Sequence, residues 1–397
     1  MNHSLKSKKI DFAIVFGYVG LFLVTYFLLL KIVANESSDI SMHSVWASDI
    51  SFLDFTSYFR QVAHPLWHFI MRIFNVFFPR MVAAAMCTAL IKVCECYVVS
   101  LFLKKITNNL SKRMLFVLSI ICISVSTVCI PFYNPKVYIG VGSPNPWHSP
   151  TQLLVMVFIF IIVPITIDFL TIFDKNKDKE IVFIPTKKLV YFSILLCLAT
   201  LAKPIFMQAF LPACSIYFGI LWIKNPKQHS FFLRILYSVL PSVLLICLQY
   251  LYYFAGLFVE QNTVGIVFSL EKILRLTFCS LLMSVFPLYV SIVFKKKPLS
   301  ITQKLIYLYV IVAFIFNLFF TEVGAHGADG NFGWANMAAI MMFFTVSLGQ
   351  FVNAWQANKQ EHKKITAPFY IGGILLAWHI VSGIYYVCYL FVSKMAL

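Results

Sequence analysis

The sequence predicts an all-α, polytopic integral membrane protein, and composition and hydropathy carry most of that prediction. Of the 397 residues, 60% are hydrophobic and only 12% are charged, and the mean hydropathy is +0.85. Apolar runs of about 18 residues or more recur along the whole chain, which is the length that an α-helix needs to cross a membrane. Residues 1–397 are therefore expected to form a single integral membrane domain.

The distribution of basic residues predicts how the chain is oriented in the membrane. The formal net charge is +17, and the N-terminal segment and the short loops expected on the same side together hold 22 of the 32 Lys and Arg residues. Cytoplasmic loops carry such an excess, so the N-terminus is predicted inside and the C-terminus outside. On a soluble face the same charge would indicate nucleic-acid binding, but the sequence offers no soluble domain.

Hydropathy places about eleven transmembrane helices along the chain. The first runs from about Ile10 to Val33 and leads outward. The apolar run from Leu189 to Trp222 has basic residues at both ends, so it must cross twice, with a tight outer turn at Lys203-Pro204 because proline ends the incoming helix. The spans after the first are expected near residues 81–103, 114–133, 150–172, 189–202, 205–222, 231–256, 273–294, 305–320, 335–354 and 367–393.

The first extracytoplasmic loop, residues 34–80, is large and rich in acidic and imidazole side chains. Asp49 and Asp54 are its candidate catalytic residues, since a carboxylate beside apolar neighbours can act as a general base or as a metal ligand. Ser51-x-x-Asp54 also has capping-box spacing, which gives Asp54 a structural alternative. Arg60 is the candidate cation of the same loop.

The end of this loop predicts an interfacial amphipathic helix. The segment HPLWHFIMRIFNVFFPR is apolar over about 15 residues, which is too short to span a membrane. His64 and His68 are spaced i,i+4 and share a face, which permits a metal site without requiring one. An amphipathic belt explains the same pattern, so the metal ligands are left unassigned.

Three other outer segments add candidate substrate-binding residues. The second outer loop and the Lys203-Pro204 turn are two of them, and the third is the glycine-rich stretch HGADGNFGW, whose glycines let the backbone approach a ligand closely. A plain re-entrant turn is the alternative for that stretch. The candidates from these segments are Trp147, His148, Lys203, His326, Asp329, Asn331 and Trp334.

Several of these features resemble the GT-C superfamily of membrane glycosyltransferases. The resemblance rests on the first span leading outward, the acidic first outer loop, the interfacial helix opening with His64-Pro65-Leu66, and the number of spans. The elements Asn145 to Thr151, Leu201 to Pro204 and His326 to Trp334 are similar to ones in uncharacterised bacterial polytopic proteins of this type.

The resemblance implies an inverting sugar transfer from a polyprenyl-phosphate-linked donor to a lipid, glycan or protein acceptor, on the outside of the bacterial cytoplasmic membrane. Asp49 or Asp54 would deprotonate the acceptor hydroxyl, and membrane lipids would surround the site. No cofactor is implied with certainty. A divalent metal ion remains an alternative, although the second outer loop lacks the acidic residue that many GT-C enzymes place there.

Two other functions stay open at the level of the sequence. A transporter or flippase for a lipid-linked or amphiphilic substrate would be expected to show internal repeats and polar residues near mid-membrane. A polysaccharide polymerase or ligase is chemically closer to a glycosyltransferase. The sequence does not name the sugar, the acceptor, the linkage or the oligomeric state.

Overall fold

The computed structural model describes residues 11–59, 62–130, 142–179, 181–253, 263–295, 298–323 and 330–392, and within them the chain is almost entirely helical. Short 3-10 helices at Phe55–Tyr58 and Pro226–Gln228 supplement the α-helices. The α-helices are α1 (Phe12–Val33), α2 (Asp39–Ser48), α3 (Leu66–Phe74), α4 (Arg80–Ile106), α5 (Lys112–Ser124), α6 (Pro150–Asn176), α7 (Thr186–Ala202), α8 (Ile205–Lys224), α9 (His229–Tyr253), α10 (Leu270–Val293), α11 (Ile301–Phe319), α12 (Asn331–Gln360) and α13 (Ala367–Val392).

The helices of the described residues confirm a polytopic α-helical membrane protein. Nine of them are long and apolar enough to cross a membrane, namely α1, α4, α6 and α8 to α13. Two further helices, α5 and α7, lie where spans were predicted but have only 13 and 17 residues. The total of eleven spans and their orientation therefore remain predictions.

The predicted break at Lys203-Pro204 is confirmed as a helix boundary. Helix α7 ends at Ala202 and α8 begins at Ile205. Lys203 between them is extended, with φ −170° and ψ 120°. The ring of Pro204 removes a backbone donor and disfavours helix in the residue before it, which explains why one apolar run folds as two helices.

The segment predicted as a span from 114 to 133 is not one continuous helix, because α5 ends at Ser124. Val125 is extended, and residues 125–128 are buried without forming a helix. His379 of α13 holds this backbone through its Nδ1, which lies 2.7 Å from Ser126 O. Irregular backbone inside a membrane protein is tolerated when the protein itself encloses it and bonds its polar groups.

Two short strands add a small feature to the all-α fold. Strand β1 (Thr263–Ile266) precedes α10 and β2 (Phe320–Val323) follows α11. They pair antiparallel, with Val264 opposite Glu322. The pairing joins two helix ends that lie at the same end of the bundle.

The first outer loop contains two helices. One was not predicted, and the other is the predicted interfacial helix in a shorter form. Helix α2 is the unpredicted one. Helix α3 is amphipathic as expected, with Trp67 and Met71 buried and Phe69 and Ile73 exposed. Both helices pack on α4, and α3 also contacts α6 and α7.

Helix α12 lies at the centre of the bundle and packs against α4, α8, α10 and α11. We call the end of the bundle where α1 ends and α12 begins the polar end. It includes α2, α3, residues 142–149 and the Lys203-Pro204 turn. We call the opposite end, where α4 ends and α13 begins, the basic end.

Candidate functional site

The first part of the site is the start of α2, which the end of α1 positions. Ser38 caps the helix: its Oγ accepts a hydrogen bond from Ser41 N at 3.3 Å and donates one to Ile32 O at 2.8 Å. Asp39 thus stands in the first turn, where the helix dipole favours a carboxylate. His43 follows one turn later on the same face.

Three side chains from α2 and α3 form a hydrogen-bonded chain. Asp39 Oδ1 lies 3.2 Å from His43 Nε2, and His43 Nδ1 lies 2.8 Å from His68 Nε2. The Asp39 side chain is 34% exposed and that of His43 is 10% exposed, whereas His68 is 1% exposed. The rings of Trp46 and Trp67 lie against the two imidazoles. The chain therefore leads from a partly exposed carboxylate into the protein interior.

The surroundings of the site affect the charge of the Asp39 carboxylate and of the imidazoles in different ways. Burial opposes ionisation of Asp39, but the attraction and hydrogen bond of His43 outweigh it and hold the pKa of the carboxyl well below its ordinary value. Lys203 and His148 act in the same direction. Burial, with a contribution from Lys203, lowers the pKa of His64 to about 3 and that of His148 to about 4. At neutral pH the site thus combines the ionised carboxylate of Asp39 with neutral imidazoles at His64 and His148.

Residues 142–149 form a second wall of the site and are buried throughout. Asn145 fixes this segment, because its Nδ2 donates to two carbonyls at the end of α5, Cys122 O and Val125 O, each at 2.8 Å. His148 Nδ1 lies 3.0 Å from the hydroxyl oxygen of Tyr386 on α13.

Lys203 is the cation of the site and stands at the turn between α7 and α8. It is only 6% exposed, and its Nζ lies 4.3 Å from the ring centroid of Trp334 at the start of α12. The same indole lies 5.9 Å from the His148 ring. Gln249 of α9 donates to Ala63 O at 2.7 Å and to a carbonyl of α7 at 3.2 Å. These contacts tie the turn to the loop that precedes α3.

Several buried polar atoms where α6 begins have no hydrogen-bond partner among the described residues. They are Trp147 Nε1, Ser149 Oγ, Thr151 Oγ1 and Gln152 Oε1. Buried polar groups in folded proteins are nearly always bonded to protein or to water. This wall therefore has unused donors and acceptors for water or for a polar ligand.

Asp49 and Asp54, the two carboxylates predicted as catalytic, have different surroundings from Asp39. Asp49 is the exposed C-cap residue of α2, and no hydrogen bond of its side chain occurs within the described ranges. Asp54 caps the 3-10 helix Phe55–Tyr58 and accepts hydrogen bonds from Thr56 N at 3.0 Å and Thr56 Oγ1 at 2.7 Å. Neither is among the described groups that shift the pKa of Asp39. The carboxylate that contacts the imidazole cluster directly in the described contacts is that of Asp39.

The remaining predicted residues are distributed as follows. His64, His68, Trp147, His148, Lys203 and Trp334 all belong to the polar end described above. Asn331 Nδ2 donates to Glu322 Oε1 at 2.5 Å, so it joins α12 to β2. Arg60, His326 and Asp329 lie outside the described residues.

A metal site is not found in the part of the chain that the structure describes. No group of three or more His, Cys, Asp or Glu side chains there could hold a metal ion. Of the predicted i,i+4 pair His64 and His68, His68 uses its Nε2 for the contact with His43. The divalent metal remains a prediction, because His326 and Asp329 lie outside the described residues.

Sequence reasoning missed Asp39 and His43 as functional residues. The available signals were a serine followed by an acidic residue, which is typical of a helix start, and the i,i+4 spacing of the carboxylate and the imidazole. What the sequence could not show was that His68, from another helix, would complete the chain.

Below the imidazole cluster, α4 carries a fully buried ion pair. Lys92 Nζ lies 2.9 Å from Glu95 Oε2, and both side chains are essentially inaccessible. The same ammonium lies 4.5 Å from the ring centroid of Trp147. The pair therefore supports the second wall of the site from inside the bundle.

A mostly apolar groove of about 300 Å³ opens between α6, α7, α8 and α9. Leu196 and Met207 line it and stand on the two helices that meet at the Lys203-Pro204 turn. The groove continues along α8 as far as Trp222, near the basic end. Its shape and lining suit one or more hydrocarbon chains.

Comparisons with protein-family models, with curated proteins and with solved structures find no match to this chain. The resemblance to the GT-C superfamily therefore remains a prediction, and function has to be argued from the site.

Proposed function

We propose that this protein is a membrane glycosyltransferase that moves a sugar from a polyprenyl-phosphate-linked donor to a hydroxyl group of a lipid, glycan or protein acceptor. The observation that carries the proposal is one ionised carboxylate, Asp39, and one buried ammonium, Lys203, coupled at the same end of a membrane bundle. A hydroxyl acceptor needs a base, and a phosphate leaving group needs a positive charge.

The residues can be assigned to the steps of a single displacement. The acceptor oxygen attacks the anomeric carbon of the sugar while the bond from that carbon to the carrier phosphate breaks. The proton of the acceptor goes to the Asp39 carboxylate, and the bond electrons leave with the phosphate, whose charge Lys203 offsets. Since the attack and the departure occur on opposite faces, the product has inverted configuration.

The burial of the histidines assigns them a neutral role in this scheme. His64 and His148, with pKa values lowered to about 3 and about 4, cannot supply positive charge at neutral pH. They are suited to hydrogen bonds with sugar or acceptor hydroxyls. The unused polar atoms of Ser149 and Thr151 are available for the same purpose.

The apolar groove supports a lipid-linked donor. Its lining includes residues of α7 and α8, the two helices that flank Lys203, so a phosphate near Lys203 can place its polyprenyl chain in this groove. A soluble nucleotide-sugar donor has no hydrocarbon chain that could bind in this groove.

We further propose that the polar end faces the outside of the bacterial cytoplasmic membrane. The support is the positive charge of the opposite end, which is typical of cytoplasmic loops. Leu53, which is 99% exposed at the polar end, and Thr366, exposed at the basic end, are suitable labelling sites.

The orientation is tested with an impermeant thiol reagent on intact cells. The exposed natural thiols of Cys94, Cys247 and Cys388 are first replaced by alanine. We expect Leu53→Cys to be labelled from outside and Thr366→Cys only after permeabilisation. The reverse pattern overturns the proposed orientation.

The activity is tested by mass spectrometry of surface glycans and glycolipids from a strain that lacks the protein. We expect one sugar to be missing and to return with the wild-type gene but not with Asp39→Asn. Loss of long chains with retention of the single repeat indicates a polymerase or ligase instead. Unchanged glycans and glycolipids in the deletion strain contradict the proposal.

The buried Lys92–Glu95 pair favours a transporter as the second candidate function. Ionisable residues inside a membrane often mark transport pathways. In that case Glu95→Gln should abolish translocation of a lipid-linked sugar in proteoliposomes while Asp39→Asn leaves it intact. Under the glycosyltransferase proposal, Asp39→Asn should reduce product formation more than Glu95→Gln does.

A further inference from the structure

We propose that His43 and His68 are positioning residues for Asp39: His68 donates its Nε2–H to His43 Nδ1, and this fixes His43 in the tautomer that donates Nε2–H to Asp39. The inference rests on the proposed function for its importance in catalysis. The hydrogen-bonded arrangement itself can be tested without any assay of transfer.

The distances leave few ways to place the protons. His43 Nε2 faces a carboxylate oxygen at 3.2 Å, and this contact is stable only if the nitrogen carries a proton. If that proton is the only one on the ring, Nδ1 has a lone pair, and it lies 2.8 Å from His68 Nε2. That second nitrogen must therefore be the donor of the pair.

The burial of His68 supports the same assignment. His68 Nδ1 is buried and has no hydrogen-bond partner within the described residues. In the proposed tautomer this atom is an unpaired acceptor, whereas in the alternative with His43 charged it would be an unpaired N–H. Buried acceptors lack a partner more often than buried donors do, so the neutral arrangement is favoured.

His68 is also held as a neutral imidazole. Burial is the main cause that keeps its pKa well below the ordinary value for histidine. A neutral His68 keeps one N–H to donate and does not compete with Lys203 for the negative charge of Asp39. The ring is held in place by packing against Trp46 and Trp67.

Other titratable groups around Asp39 and helix α2 come from the neighbourhood of four helices. His64 precedes α3, His148 precedes α6 and Lys203 follows α7, and all three interact electrostatically with Asp39. On α4, Arg80 donates to Ser44 Oγ of α2 at 3.1 Å. Among the described groups that shift the pKa of Asp39, His43 is the one whose side chain also forms a hydrogen bond with the carboxylate, so the effect of His68 has to pass through it.

The variants follow from the geometry of the imidazole. Gln places its amide where Nε2 of histidine stands, so His68→Gln keeps a donor to His43 and serves as the matched conservative control. His68→Leu removes the donor and leaves an apolar side chain of similar size. With the donor gone, His43 is free to turn or to change tautomer, and its proton is no longer directed at Asp39.

Infrared difference spectroscopy of the full-length protein in lipid nanodiscs measures the protonation of Asp39 directly. The carboxylic C=O band that appears on acidification and is absent in Asp39→Asn belongs to this residue. Because the native hydrogen bond keeps the folded pKa low, the band should appear only at acidic pH in the wild type. In His68→Leu we expect the midpoint to rise by about one pH unit or more, and in His68→Gln to change much less.

The outcomes separate this inference from the proposed function. A raised midpoint in His68→Leu supports the positioning role even if no glycan depends on the protein. Equal midpoints in wild type, His68→Gln and His68→Leu, with the folded state confirmed by thermal unfolding, overturn it. If the His68→Leu protein does not fold, His43→Gln gives the second test, because it keeps the donor to Asp39 and should hold the midpoint low, whereas His43→Leu should raise it.

Discussion

The polar end and the basic end of the bundle both contain charged residues, but they place them in different surroundings. At the basic end, Lys105 and Asp168 form an ion pair at 2.7 Å with side chains that are 31% and 51% exposed. At the polar end, Lys203 and the chain from Asp39 to His68 are largely buried among aromatic rings. Exposed pairs cost little and contribute little, whereas buried charges are expensive and persist where a function requires them. The comparison teaches that charge alone does not locate a site, and that burial does.

The largest expected effect concerns the base. Asp39→Asn should reduce the rate at which complemented cells form the missing glycan by about two to four orders of magnitude, because Asn keeps the shape but cannot take a proton. Asp49→Asn is the matched control on the same helix and should stay within about threefold of the wild type. If the two variants lose activity equally, the assignment of the base to Asp39 is wrong.

Removal of the cation is the second test of the polar end. Lys203→Met should lower product formation by about 100-fold or more, since it deletes the charge that offsets the leaving phosphate. Lys203→Arg should retain part of the activity because a guanidinium also carries charge and stacks on Trp334. Lys105→Met at the basic end is the control. An active Lys203→Met variant contradicts the phosphate-binding role.

Helix positions were largely predictable from the sequence because apolar length and basic loops decide them. Helix α4 runs from Arg80 to Ile106, close to the expected 81–103, and the break before Pro204 was predicted from proline chemistry alone. The end of α5 at Ser124 was not predictable, since the apolar residues that follow it are buried by tertiary contacts with α13 rather than by lipid.

The loops that form the candidate site were predictable from the sequence, but the contacts between their side chains were not. His64, His68, His148, Lys203 and Trp334 were predicted from their side of the membrane, and the structure brings them to one end. Asp49 and Asp54 were predicted instead of Asp39, because the sequence did not predict helix α2, which places Asp39 one turn from His43. Only the approach of α3 to α2 shows that its partner His43 meets a second imidazole.

A stability comparison of the two kinds of ion pair sharpens the contrast. Lys92→Met should destabilise the protein by about 3–5 kcal/mol, because it leaves the Glu95 carboxylate buried without its partner. Lys105→Met should cost about 1 kcal/mol or less, since its pair is partly solvated. Denaturant unfolding in mixed micelles measures both. The double variant Lys92→Met/Glu95→Gln should recover most of the loss, and a single variant as stable as the wild type contradicts the account of this pair.

The smallest expected effect separates Asp54 from the site. Asp54→Ala removes the cap of a short 3-10 helix and should cost about 1 kcal/mol of stability. Product formation should stay within about threefold of the wild type at a permissive temperature. Unfolding curves and glycan analysis are compared with those of Asp54→Asn, which keeps a capping oxygen. Loss of product in both variants with unchanged stability would return Asp54 to the list of catalytic candidates.

The central claim is that a base, Asp39, and a cation, Lys203, act on an anionic lipid-linked sugar. Mass spectrometry of the lipids that copurify with the protein tests this claim most directly. Asp39→Asn should retain an intact polyprenyl-phosphate-linked sugar, because the donor still binds but the acceptor is not deprotonated. The double variant Asp39→Asn/Lys203→Met should lose that lipid, since the phosphate is no longer held. An Asp39→Asn protein that carries no sugar-linked lipid, or a double variant that carries as much of it, would contradict the account.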